Sequence, residues 1–99
     1  MSLDETRKLQ ELADKIKFDT ATKEEYEEYY NILIESGISK NTIDNQLANG
    51  NFKTITDLYL TRKNADEERK RLINRNVVSG LVGIGLGVLL YWSFKGGKK

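Results

Sequence analysis

The apolar positions of this chain fall into two regimes. Up to Tyr59 they recur three and four residues apart, and from Val77 to Phe94 they run almost without interruption. Leu9, Leu12, Ala13 and Ile16 follow the i, i+3, i+4, i+7 rhythm of a narrow helical stripe. Ser2 and Glu5 form a capping box ahead of it, and Lys15 and Lys17 suit the negative end of its dipole. Phe18 to Ala21 read as the connecting loop. A second helix opens at Thr22, with Glu25 as its capping-box partner and Gly37 as its stop. Tyr26, Tyr29, Tyr30 and Leu33 line one face of it, with Ile34 beside them. A shorter third helix starts at Ser39, turns Ile43 and Leu47 inward and ends at Asn49-Gly50-Asn51. Phe52, Ile55, Leu58 and Tyr59 begin another stripe near Thr54. The chain has no proline, and nothing between Thr54 and Val77 breaks a helix. The spacing therefore predicts one long fourth helix, running from about Thr54 into the apolar segment.

Val77 to Phe94 is eighteen residues without a charge, with Arg75 and Lys95 just outside. As a helix it spans roughly 27 Å, close to the hydrocarbon thickness of a bilayer. The 76 residues before it are too polar to wrap an apolar rod on every side. Its position also excludes a cleaved N-terminal signal peptide. The expected fold class is all-α: a small N-terminal helical head of three short helices, then a long helix continuing into one C-terminal transmembrane span. The expected division is a head over 1–59, a juxtamembrane stalk over 60–76, the span over 77–94 and a short basic tail over 95–99.

Charge sharpens this division. The net charge of +1 is the sum of −5 over residues 1–59 and +6 over residues 60–99, an acidic head on a basic stem. Arg62, Lys63, Arg69, Lys70, Arg71 and Arg75 precede the span, against Lys95, Lys98 and Lys99 after it. The positive-inside rule then places the head in the cytoplasm. The same six residues read either as this orientation signal or as contacts for anionic lipid. The chain contains no cysteine and no histidine. That excludes a disulfide framework, zinc sites of the usual type and His-activated nucleophiles. With no phosphate-binding loop and no room for a sizeable pocket, the expectation is a non-enzyme with no cofactor and no metal.

Within the span, Ser79, Gly83 and Gly87 are spaced by four and share one helix face, a smooth strip on which another backbone can pack closely. Gly80 and Gly85 widen that strip, while Leu81, Val82, Ile84, Leu86, Val88, Leu89 and Leu90 are left for lipid. Tyr91 and Trp92 read as an interfacial anchor. The Tyr26, Tyr29, Tyr30 and Leu33 face serves either as core or as a candidate partner surface. Glu24, Glu25, Glu27 and Glu28 lack the ligand alternation of a calcium loop and read as a dipole-compensating first turn. Two short helices across the glycine turn at Gly50 invite a helix-turn-helix comparison. The acidic head would repel a phosphate backbone, so nucleic acid is not an expected partner. The expected role is a tail-anchored membrane interaction or assembly protein, bacterial or phage in compositional character. Its partners would be the bilayer, another membrane protein or a second copy through the span, and a cytoplasmic protein at the head. The alternatives are a holin-like or toxin-like permeabilising oligomer and a structural subunit of a virion or secretion assembly.

Overall fold

A computed structural model describes residues 3–96, with side chains described up to Trp92; the Ser2 cap lies outside that range. The fold is all-helical, with no strand among the described residues. The three short helices of the head form where the pattern placed them. α1 spans Leu3–Lys17, α2 Lys23–Glu35 and α3 Lys40–Ala48. Both halves of the Thr22/Glu25 capping box are made, and Ser39 caps α3 through the Thr42 N–H. Gly37 ends α2 at φ 103°, and Asn51 takes φ 65° in the turn after α3. Gly50 in that turn has a second duty. A Cβ there would stand 2.6 Å from the Phe52 ring and 2.7 Å from Val77, so only glycine lets the turn press against the final helix.

The long fourth helix is divided. α4, Ile55–Asn64, starts on the Thr54 cap and ends at Ala65, whose backbone is extended. Asp66 then caps a new helix, accepting from the Arg69 N–H. The expectation missed this stop because Asp66 is an N-cap with no helix-breaking neighbour to announce it. α4 consequently belongs to the head and packs back on α2. α5 (Glu67–Ile73), a π-helical segment (Asn74–Val78) and α6 (Ser79–Gly96) then follow without a break.

α1 and α2 lie antiparallel, joined by ion pairs from Lys8 to Glu28 at 3.6 Å and from Lys15 to Glu25 at 2.7 Å. The core draws Leu9, Leu12, Ala13 and Ile16 from α1, Tyr26, Tyr29 and Leu33 from α2, Ile43 and Leu47 from α3, and Ile55 and Leu58 from α4. Tyr26 meets Tyr59 edge to face with ring centroids 5.3 Å apart. Tyr26, Tyr29 and Leu33 are thus core residues and present no surface to a partner. Tyr30 is half-buried and bonds Asp44.

The Lys15–Glu25 pair makes the head pH-sensitive in a defined sense. The hydrogen bond from Lys15 holds the Glu25 carboxyl below its ordinary value of 4.5, helped by the Thr22 backbone N–H. A carboxyl depressed in the folded state stabilises it above the unfolded value and loses that contribution as pH falls through the folded value. Urea unfolding midpoints should therefore fall more steeply below pH 4.5 for the natural chain than for Glu25→Gln. Parallel curves for the two would show that the pair carries no such linkage.

Candidate functional site

The feature that sets this chain apart is α6. The continuous helix Glu67–Trp92 is long and apolar enough to cross a membrane, yet 44 % of its most apolar window is buried within the chain. The head covers one side of it. Val77, Val78, Leu81, Val82, Val88 and Leu89 are buried against α1, α2 and α3, so they are not free for lipid in this arrangement. α1 runs antiparallel alongside α6: Thr6, Arg7 and Gln10 share a groove with Leu86, Leu89 and Leu90, and Glu5 shares a cleft with Trp92. In water the head is a favourable cover, since full burial of each aliphatic side chain is worth roughly 1.5–3 kcal/mol.

Tyr29 and Gln46 of the head reach the backbone of this helix. Tyr29 donates from its hydroxyl to the Leu81 carbonyl at 2.7 Å. Burial raises the pKa of that hydroxyl well above the usual tyrosine range, so it stays a protonated donor. The contact needs Gly85, because a Cβ there would overlap the Tyr29 hydroxyl. Gln46 of α3 donates from its amide to the carbonyls of Asn76 and Val77, each at 3.2 Å. These carbonyls lie in the π-helical segment, where the register of backbone bonding changes: the Ser79 N–H bonds the Asn74 carbonyl five residues back. The Ser79 hydroxyl donates locally to the Arg75 carbonyl at 2.8 Å. Gly80 makes room for Gln46, since a Cβ on it would overlap the amide. Gly80 and Gly85 therefore seat the head and are not extensions of an outer strip.

The opposite face of α6 is uncovered. Ser79, Gly83, Leu86, Gly87 and Leu90 fall within about a quarter turn of one another at 100° per residue, and all five are exposed. A Cβ on Gly83 or Gly87 would meet nothing within 4 Å. Leu90 is 72 % exposed. Tyr91 stands at the edge of this face and is exposed, whereas Trp92 leans back against the head and meets Tyr91 edge to face at 5.6 Å. Of the two aromatic residues, only Tyr91 is turned outward.

The basic stem is not one uniform surface. Arg62 is buried, with 1 % exposure, and its guanidinium closes the C-terminal end of α1. It donates to the carbonyls of Ile16 and Lys17 and to the Tyr26 hydroxyl, and Asp19 stands 3.6 Å from Nε. This corrects its reading as a lipid or orientation contact. The signal was present: Ile55, Leu58 and Arg62 fall at i, i+3 and i+7, so Arg62 continues the inward stripe of α4. Lys70 pairs with Asp19 at 3.4 Å, and Lys63 lies 5.7 Å over the Tyr59 ring. Arg69, Arg71 and Arg75 are exposed.

No family model, curated protein or solved structure matches this chain. Among the described residues no group of acidic, histidine or cysteine side chains is placed to hold a metal ion.

Docking and spanning exclude each other. α1 runs beside α6 and carries Arg7, Lys8, Glu11 and Asp14 along the length that would lie in hydrocarbon. Each charge at the bilayer centre costs roughly 3 kcal/mol even on the mildest scale, so the head cannot enter with the helix.

Proposed function

We propose that this protein is a single-span membrane interaction or assembly protein, anchored through α6, whose head lies in the cytoplasm and recruits or docks a partner. The uncovered face of α6 pairs with the span of a second copy or of another membrane protein. The observation that carries this reading is the division of labour among the glycines. Gly80 and Gly85 seat the head's own side chains, while Gly83 and Gly87, in register with Ser79, stay open. In lipid there is no hydrophobic force between helices, so close backbone approach at small residues is the main source of attraction. Exposed Arg71 and Arg75 near the base of α6 support the cytoplasmic orientation.

The test is the mass of the detergent-extracted full chain, corrected for bound micelle. The natural chain should run as a defined oligomer or co-purify with one membrane partner. Gly83→Ile together with Gly87→Ile should still insert but lose that association. An association that survives both changes would remove the glycine face from the reading.

A further inference from the structure

We infer that the head is a reversible cover for the span: α6 lies docked on α1–α3 in water and leaves them to enter a bilayer. The inference rests on the membrane reading above. It goes beyond that reading by assigning a closed form, a joint and two latches.

The closed form follows from the packing. One face of α6 is buried on the head, and the charged side chains of α1 forbid that arrangement inside hydrocarbon. The joint is the π-helical segment Asn74–Val78 at the base of α6, where the Ser79 N–H bonds back to Asn74 and the helical ladder shifts by one residue. Everything before it, including Lys70 held to Asp19, stays with the head; after it the sequence carries no charge until Lys95. The latches are Gln46, which bonds the carbonyls of Asn76 and Val77 in the joint, and Tyr29, which bonds the Leu81 carbonyl one turn further on. Leaving the head costs α6 its apolar contacts and these three hydrogen bonds. The bilayer restores the apolar contacts and cannot restore the bonds. The latches and the apolar stripe of α1, which a departing α6 leaves uncovered, therefore set the bias toward the closed form, against the burial that exposed Leu86 and Leu90 gain in the bilayer.

The outward face explains how release begins. Leu86 and Leu90 are exposed in the closed form, so the helix touches a membrane through them before any head contact is broken.

The experiment uses the absence of cysteine from the chain. Gln10→Cys and Leu86→Cys place thiols on either side of the groove between α1 and α6. A short bis-thiosulfonate reagent, cleavable by reduction, then locks the full-length protein in the closed form. Locked and reduced samples are mixed with vesicles of phosphatidylcholine and phosphatidylglycerol and floated after carbonate extraction. The locked sample should stay in the soluble fraction, and reduction should return it to the vesicles. A locked sample that inserts as fully as the reduced one overturns the cover and leaves the membrane reading standing. A reduced sample that does not insert overturns both. Failure of the reagent to join the two thiols in water also overturns the cover, because the closed form would not exist there. In a second arm, Tyr29→Phe with Gln46→Leu should insert faster than the natural chain, by roughly fivefold for each bond removed. An unchanged rate would show that these side chains are not latches.

Discussion

Arg62→Ala should lower the unfolding free energy of the head by about 4 kcal/mol, the largest effect of any single truncation in this chain. The magnitude follows from what the change strands. The Ile16 carbonyl and the Tyr26 hydroxyl lose their buried partner, and each unmet group costs about 1–3 kcal/mol. The Lys17 carbonyl loses its donor, and Asp19 loses one of its two cations while keeping Lys70 at 3.4 Å. A cavity the size of the side chain is left as well, at a point where α1, α2 and α4 converge. Arg62→Lys should recover little of this, because one ammonium cannot serve two carbonyls and a hydroxyl arranged for a planar fork. Urea unfolding followed by far-ultraviolet circular dichroism decides the matter. A midpoint shift equivalent to less than about 1 kcal/mol for Arg62→Ala would mean that the guanidinium is replaceable by water there.

That residue also shows where reading the chain succeeded and where it stopped. Local devices were legible because their chemistry is complete within four residues. The Thr22/Glu25 box, the Ser39 cap, the Gly37 stop and the stripe Leu9, Leu12, Ala13, Ile16 all formed as the spacing implied. What the spacing could not reveal was which side of each element would find a partner from far along the chain. Arg62 meets Ile16 across 46 residues, and Tyr29 meets Leu81 across 52. A charged residue on an apolar stripe was the one available hint of the first contact. The second had no hint, since four glycines in one apolar segment look alike until a neighbour distinguishes them. The same limit produced the single long fourth helix. Asp66 as a cap is a local signal, but it was outweighed by the absence of proline and glycine around it.

Apolar length made a span the natural reading of Val77 to Phe94, and the helix does meet the length and composition of one. The head is too polar to wrap the full circumference of the helix. A narrow stripe on α1 and a few residues of α2 and α3 instead cover a single side, an arrangement that needs far less apolar surface. Leu9, Leu12 and Ala13 need a partner surface in water, and α6 is the largest one the chain contains. A helix whose two faces differ this way is suited to exchange one environment for another.

Two substitutions of the same kind, two positions apart, should act in opposite directions on that arrangement. Gly85→Ala should destabilise the closed form by about 2–3 kcal/mol, while Gly83→Ala should stabilise it by about 0.5–1 kcal/mol. In an open helical position alanine restricts the unfolded backbone and gains helix propensity, and nothing within 4 Å of a Cβ on Gly83 opposes that gain. At Gly85 the same methyl group overlaps the Tyr29 hydroxyl. Tyr29 is fully buried and held among Leu33, Leu81 and their neighbours, so its ring has no free direction in which to retreat. Either the bond to the Leu81 carbonyl breaks or α6 moves off α2, and both outcomes weaken docking. Gly80→Ala is a milder case, because the far end of the Gln46 side chain can swing away at the loss of its bonds to the joint. Denaturation of the dilute full chain without membrane gives the sign directly. Two stabilising alanines would mean that Tyr29 does not seat against Gly85. Two destabilising ones would mean that the Gly83 face is already occupied in water, and the uncovered side of α6 would then belong to a partner from the outset.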